Sequence, residues 1–192
     1  MNDTQHWSKR ELLMLGITAF HPTYRADKLI LMINRNNMKI CTYSESMTVE
    51  IADLFHSAVH HINPSIYTKE QQEAWAPTPP NYDNWSIRLG AKNPFVAIID
   101  GNVAGFIELE KNGHIDCFYT HPKFQQKGVG TSLYNYLLVE ARRNKIRRLY
   151  VEASHTAKDF FTKQGFILIK ENEVLRNSVC LINYTMEKFL DE

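Results

Sequence analysis

The chain lacks any apolar run long enough to cross a bilayer: its most apolar early stretch, Leu29 to Ile33, falls far short of the ~20 residues a membrane helix needs. The residues before that stretch also lack the basic, apolar and small-residue order of a signal peptide. Cysteine is scarce. Cys41, Cys117 and Cys180 are odd in number and far apart, which offers neither a disulfide framework nor a Cys-x-x-Cys metal knuckle. Charge of one sign is not in excess, with 22 basic against 21 acidic residues and a formal net charge of +1, so no global field draws the protein onto nucleic acid or an anionic membrane. Internal repeats and low-complexity tracts are absent as well. These absences leave a cytoplasmic globular protein whose partner is a small molecule.

What is present agrees. The 192 residues are 44% hydrophobic and 22% charged, which suits one domain with one substantial core. Lys39 to Tyr43 alternates like a strand. Ser46 reads as the cap of a helix over Met47 to Ile62, where Val49, Ala52, Phe55 and Val59 recur at helical spacing. A second helix is expected from about Thr68 to Trp75, and Pro77, Pro79 and Pro80 make Ala76 to Asn81 an extended connector and a candidate substrate lid. Phe95 to Ile99 and Val103 to Leu109 are rich in β-formers and flank the hairpin signal Asp100-Gly101-Asn102. A further strand, Ile115 to Thr120, precedes a helix that opens at Gly128 and ends among Arg142, Arg143 and Lys145. Leu149 to Ala153 as a strand, Thr156 to Gln164 as a short helix and two last strands complete an α/β pattern with a mixed sheet. Residues 1–37 fit none of this. They are read as an N-terminal extension of unknown role ahead of a domain over 38–192, with Met38 a candidate natural initiator that an intact mass from the native host would test.

Gln125-Gln126-Lys127-Gly128-Val129-Gly130-Thr131 lies between a strand and a helix, where glycines permit tight turns and the free N–H groups of the helix start form a nest for phosphate. Its glycine and lysine spacing fits neither the nucleotide phosphate loop nor the three-glycine dinucleotide fingerprint. The other reading of the run is a glycine-bearing turn that merely starts a helix.

The wider run from Phe118 to Gly130 resembles the signature of the GNAT superfamily of acetyl-CoA-dependent N-acetyltransferases, whose heart is Gln/Arg-x-x-Gly-x-Gly/Ala. Downstream, Ala157-Lys158-Asp159-Phe160-Phe161-Thr162-Lys163-Gln164-Gly165-Phe166 resembles the second element of that family, in the family's order. Tyr67 to Gln71, Ala74 to Pro77, Ile115-Asp116 and Ala153-Ser154 further resemble a bacterial small-molecule branch. The resemblance implies a mostly antiparallel central sheet flanked by helices, and acetyl-CoA as cosubstrate with no metal. It implies that backbone groups of Phe118 and Thr120 pair with the pantetheine arm beside Tyr119. It implies too that Gln125, Gln126, Lys127, Gly128, Val129, Gly130 and Thr131 gather the pyrophosphate, Lys127 as a point charge or a solvated lysine. His155 stands where an asparagine is common, and Phe161 where many members carry the tyrosine that protonates the departing CoA sulfur. Phenylalanine cannot do that, which leaves water or Tyr119.

Acetyl transfer of this kind needs a polarised thioester carbonyl and a proton acceptor for the amine. The Phe118 N–H is the candidate for the first. For the second, alternation puts His114, Asp116, Phe118 and Thr120 on one strand face, with Glu108 on the neighbouring strand. Asp116 is the first choice, with a paired strand-edge carboxylate as its other reading. His114, whose imidazole titrates near neutrality, is the rival. Glu108 is the third, and otherwise a solvent-facing hairpin residue. The acceptor is expected to be a small primary amine, and a homodimer is open. The competing expectation is an acetyl-CoA sensor that has lost catalysis.

Other clusters read differently. His56, His60 and His61 have helical metal spacing but no companion glutamate or third ligand, and read as a polar helix face. Arg142, Arg143, Lys145, Arg147 and Arg148 read as helix capping and contact with the CoA ribose phosphate. Tyr67, Trp75, Tyr82 and Trp85 divide between core and acceptor wall.

Overall fold

The computed structural model describes residues 37–191, so the reading of 1–37 as an extension falls, but for Asn37, outside the described residues. In chain order the elements are β1 (Met38–Thr42), α1 (Thr48–His60), α2 (Lys69–Trp75), α3 (Tyr82–Lys92), β2 (Phe95–Ile99), β3 (Asn102–Ile107), β4 (His114–Ile115), β5 (Phe118–Thr120), α4 (Val129–Arg143), β6 (Arg148–Ser154), α5 (His155–Lys163), β7 (Ile167–Arg176) and β8 (Val179–Phe189). Two four-stranded sheets result, ordered β1-β2-β3-β5 and β4-β6-β8-β7. Every pairing is antiparallel except β4 with β6.

Side-chain alternation in β2 and β3, interrupted by a bulge at Ala104 opposite Ala97 and Ile98, splits the core in two. One face offers Val96, Val103 and Phe106 to Ile51 and Leu54 of α1 and Leu89 of α3. The other offers Ala97, Ala104 and Ile107 to Val129, Leu133, Tyr134 and Leu137 of α4. Each fully buried large aliphatic side chain here contributes about 1.5–3 kcal/mol. Asp100 and Gly101, at φ 49° and 81°, form the tight hairpin turn expected between β2 and β3.

Three expectations are corrected. Ser46 is not the cap of α1: a 3₁₀ turn over Glu45–Met47 precedes the helix, and the Thr48 hydroxyl donates to the Glu45 carbonyl. The strand expected over Ile115 to Thr120 is two strands, because the chain leaves one sheet after β4 and joins the other at β5, breaking at Asp116-Cys117. The helix α3 has no counterpart in the sequence reading. Only Leu89 is fully buried on it, so its apolar period is faint, although Asn81 accepts from the Asn84 N–H as a cap and Asn93 closes it in the left-handed region.

Candidate active site

The break at Asp116-Cys117 opens a cleft between β5 and the β6 sheet. Along β5 the Glu108 N–H donates to the Cys117 carbonyl and the His121 N–H to the Ala104 carbonyl, each at 2.8–2.9 Å. Antiparallel alternation then turns the backbone groups of Phe118 and Thr120 away from β3, toward the cleft. Beyond β5, Gln126 and Gly128 both adopt the left-handed region, at φ 59° and 81°, curling the chain in front of α4. The first helical bond runs from the Ser132 N–H to the Gly128 carbonyl at 2.9 Å, so the N–H groups ahead of it are not claimed by the helix. A cavity of about 470 Å³ lies here, lined among others by Phe118, Thr120, Gln125, Gln126, Gly130 and Phe160.

A second cavity, of about 550 Å³, lies on the other side of β5 and is walled by Phe55, Trp75 and Trp85, by Asp116 and Cys117, and by Glu152 and Arg176. The two cavities share Trp75, Tyr119 and Ser154, so they meet at the Tyr119 ring. Trp75 donates a hydrogen bond to the Tyr119 hydroxyl, and burial pushes that phenol well above its ordinary value, so it keeps its proton at neutral pH.

Behind the second cavity lies a charge network organised by α3. With Leu89 anchored in the core, Arg88 and Lys92, one turn apart, both reach the break in the sheets. Arg88 grips Glu108 through two nitrogens, at 2.7 and 3.3 Å, and also donates to Asp116 at 2.9 Å and to the Cys117 sulfur at 3.2 Å. Lys92 pairs with Asp116 at 2.8 Å and with Glu110. Burial pushes the Asp116 carboxyl up, but Lys92 and Arg88 outweigh it and hold the group below its ordinary value. Burial likewise pushes Glu108 up, and Arg88 offsets only part of that. The His114 Nε2 lies 2.6 Å from Glu152, and its ring stacks on Tyr150 at 4.8 Å.

This sequence and fold match known acetyltransferases. The family model for the acetyltransferase (GNAT) domain covers residues 64–188. The crystal structure of a GCN5-related N-acetyltransferase from Rhodopseudomonas palustris is 32% identical, with a TM-score of 0.75 over 79% of this chain and 95% of that one. The uncharacterized N-acetyltransferase YafP of Escherichia coli (strain K12) is 28% identical over 79% of this chain and 95% of its own length. YncA of Salmonella typhimurium, solved with its cofactor acetyl-CoA, shares the fold at a TM-score of 0.63 and 21% identity, over 82% of this chain and 96% of that one. This chain belongs to the GNAT acetyltransferase family. It is therefore an acyltransferase, and the competing expectation of a sensor is set aside.

Within the GNAT fold the expected residues fall unevenly. Phe118, Tyr119, Thr120, Gln125, Gln126 and Gly130 line the first cavity. Val129 has its side chain in the core. Lys127 extends over the Phe124 ring, 5.3 Å from its centroid. Gly128 caps α4 in the left-handed region and Thr131 lies in its first turn, and neither is among the residues that line the cavity. Two positions fall away from the cleft: Phe161 is 1% exposed within an aromatic cluster with Phe118, Phe160 and Phe166, and His155 turns to Tyr67 and Tyr184. Its neighbour Phe160 lines the cavity instead. Of the three expected acid–base groups, only Asp116 lines a cavity wall. Glu108 is fully buried rather than solvent-facing, because Arg88 compensates its charge. Arg142 and Arg143 end the helix that the 125–131 turn begins, about 20 Å from that turn by helical rise. Arg143 and Arg148 pair instead with Glu140 and Glu187.

His56 and His60 fasten the proline connector, to the Thr78 hydroxyl at 2.9 Å and the Ala76 carbonyl at 2.8 Å. Trp75 and Trp85 are wall, Tyr67 is core, and Tyr82 binds Asp53 at the surface. The sequence reading missed Arg88 and Lys92 because it missed α3, for which Asn81 was the available signal. It also missed Glu152 and Arg176, which sit in ordinary strands with nothing local to mark them.

Proposed function

We propose that this acyltransferase moves the acetyl group of acetyl-CoA to the amine of a small molecule, by direct attack in a ternary complex. The observation that carries the reading is the meeting of the two cavities at Tyr119. Acetyl-CoA occupies the first cavity. Its pyrophosphate lies against the N–H groups from Gln126 to Thr131, with Lys127 as an added charge, and its pantetheine arm pairs with Phe118 and Thr120 like an added strand. The amine enters from the second cavity. Its nitrogen attacks the thioester carbon, a C–N bond forms, the C–S bond breaks and CoA leaves with the sulfur electron pair. The Phe118 N–H polarises the carbonyl, and the neutral Tyr119 hydroxyl protonates the sulfur where Phe161 cannot.

The amine proton needs an acceptor. Asp116 already serves Arg88 and Lys92, which lowers its proton affinity, so the order of preference among the candidates changes. We assign the proton to Glu152, through water, with His114 behind it. Asp116 orients the incoming ammonium, and Glu108 positions Arg88. The three cysteines are free, which supports a reducing, cytoplasmic setting. The edge strand β7, with Ile167, Leu168 and Ile169 about half exposed, supports pairing of two copies, which sedimentation would test.

The test is release of CoA thiol from acetyl-CoA across a panel of amino acids, polyamines, aminoglycosides and short peptides. Amine-dependent release that Gly128→Trp abolishes supports the reading. Tight acetyl-CoA binding with no release for any amine refutes it.

A further inference from the structure

The second cavity holds four formally charged side chains, of which Arg88 and Asp116 are ion-paired within the protein and Glu152 shares a hydrogen bond with His114. Arg88 pairs with Glu108 and Asp116, and Asp116 also with Lys92. His56, also on the wall, is kept below its ordinary value by burial and by His60, so it is neutral at pH 7. The fourth group is Arg176. It lines the cavity, and among the described residues it has no carboxylate within 4 Å.

The backbone at Arg176 is fixed, and its side chain is exposed. Arg176 closes β7 opposite Val179, across the two-residue turn Asn177-Ser178, whose φ values of 49° and 64° make it a tight hairpin. The same hairpin is tied to the other side of the fold, where Gln71 donates to the Cys180 carbonyl at 3.0 Å. Alternation puts Arg176 and Val174 on the cavity face together. Its charge also bears on the Tyr119 phenol, at the junction of the two cavities.

We propose that Arg176 binds the carboxylate of the acceptor, so that the second cavity takes a small amino acid in its zwitterionic form. The inference rests on the acetyltransferase reading above and names its substrate class. The two ends of such a molecule meet opposite charges: the carboxylate faces Arg176, and the ammonium faces Asp116 and Glu152. Its side chain lies against Phe55, Trp75 and Trp85. A guanidinium matches a carboxylate with two parallel hydrogen bonds, whereas it repels polyamines and aminoglycosides, which carry only positive charge. The ammonium first gives one proton to Glu152 through water and becomes the free amine. As the C–N bond forms and the C–S bond breaks, the nitrogen sheds a second proton, which offsets the one the Tyr119 hydroxyl gives the departing sulfur, so the products are the amide, CoA thiol and one proton.

The experiment compares each amino acid with its decarboxylated amine, in the full chain, by kcat/KM for CoA release. Wild type is expected to prefer the amino acid, and Arg176→Gln to reduce that preference about tenfold, mainly through KM, with Arg176→Lys recovering part of it. A preference unchanged in Arg176→Gln, or a wild type that favours the decarboxylated amines, overturns the proposal while leaving the acetyltransferase reading intact. Binding without turnover separates the two failures. Quenching of Trp75 and Trp85 fluorescence by amino acids, in the presence of CoA, is expected to weaken about tenfold in Arg176→Gln even if no amine is acetylated. Equal quenching by both proteins counts against the proposal.

Discussion

The two cavities that meet at Tyr119 are built on opposite principles. The first is centred on one run, Phe118 to Gly130, with further walls from the end of α1 and the loop after it, from Trp75 and from α5, and its turn at Gln126 to Gly128 offers backbone N–H groups. The second gathers side chains from α1, α2, α3, the break between β4 and β5, β6 and the β7–β8 hairpin, and it presents charges and aromatic rings. A backbone site asks only for a turn and a helix start, so its sequence signature is short and dense. A side-chain site asks for convergence of distant elements, so its residues carry no local mark.

The comparison can be broken by substitution. The largest effect is expected from Arg88→Ala, which strands the fully buried Glu108 and costs about 3–5 kcal/mol of stability by urea denaturation. A loss under 1 kcal/mol would show that the second cavity does not depend on this network. Next, Gly130→Leu fills the first cavity, where a Cβ would already sit 3.3 Å from the Phe118 ring. The expected result is a KM for acetyl-CoA raised about 10–100-fold with acceptor discrimination unaltered; parallel changes for both substrates would mean the cavities are not separate. Tyr119→Phe is expected to lower kcat about tenfold at unchanged acetyl-CoA affinity, a modest effect because a thiolate leaves readily. Full kcat in that variant would hand the proton to water.

The smallest effect concerns pH. The folded value of Asp116 is depressed, so its stabilisation is fully present above the ordinary value of 3.8 and is lost as pH falls through the lower folded value. Lys92 is raised, chiefly by its hydrogen bonds to Asp116 and then Glu110, so its share is present below the ordinary 10.5 and is lost as pH rises through the higher folded value. Stability owed to the pair is therefore flat between these limits. Asp116→Asn should remove about 1 kcal/mol or less from that plateau, as suits a partly exposed pair. An acid limb identical to wild type would argue that the carboxylate is not depressed.

Much of the fold was legible. The β2–β3 hairpin followed from Asp100-Gly101-Asn102, and α4 from its apolar stripe after Gly128, because both signals are local. The break in the expected strand Ile115 to Thr120 was not, since the residues of β4 and β5 carry similar strand preference and only their partners differ. Phe161 shows the same limit from the other direction. Its motif marked the position, yet packing against Phe118, Phe160 and Phe166 decided that the ring faces the core.

The sequence by itself determined the family, the turn ahead of α4 and most of the order of elements, because these rest on short local motifs and on local periodicity. The tertiary structure alone decided which charges are paired with each other and that Arg176 lines the second cavity. Arg88 lies 20 residues from Glu108 and 28 from Asp116 in the chain, and among the described residues no acidic side chain folds within 4 Å of Arg176. Charge pairing depends on distance in space, and only the packed sheets and helices set that distance.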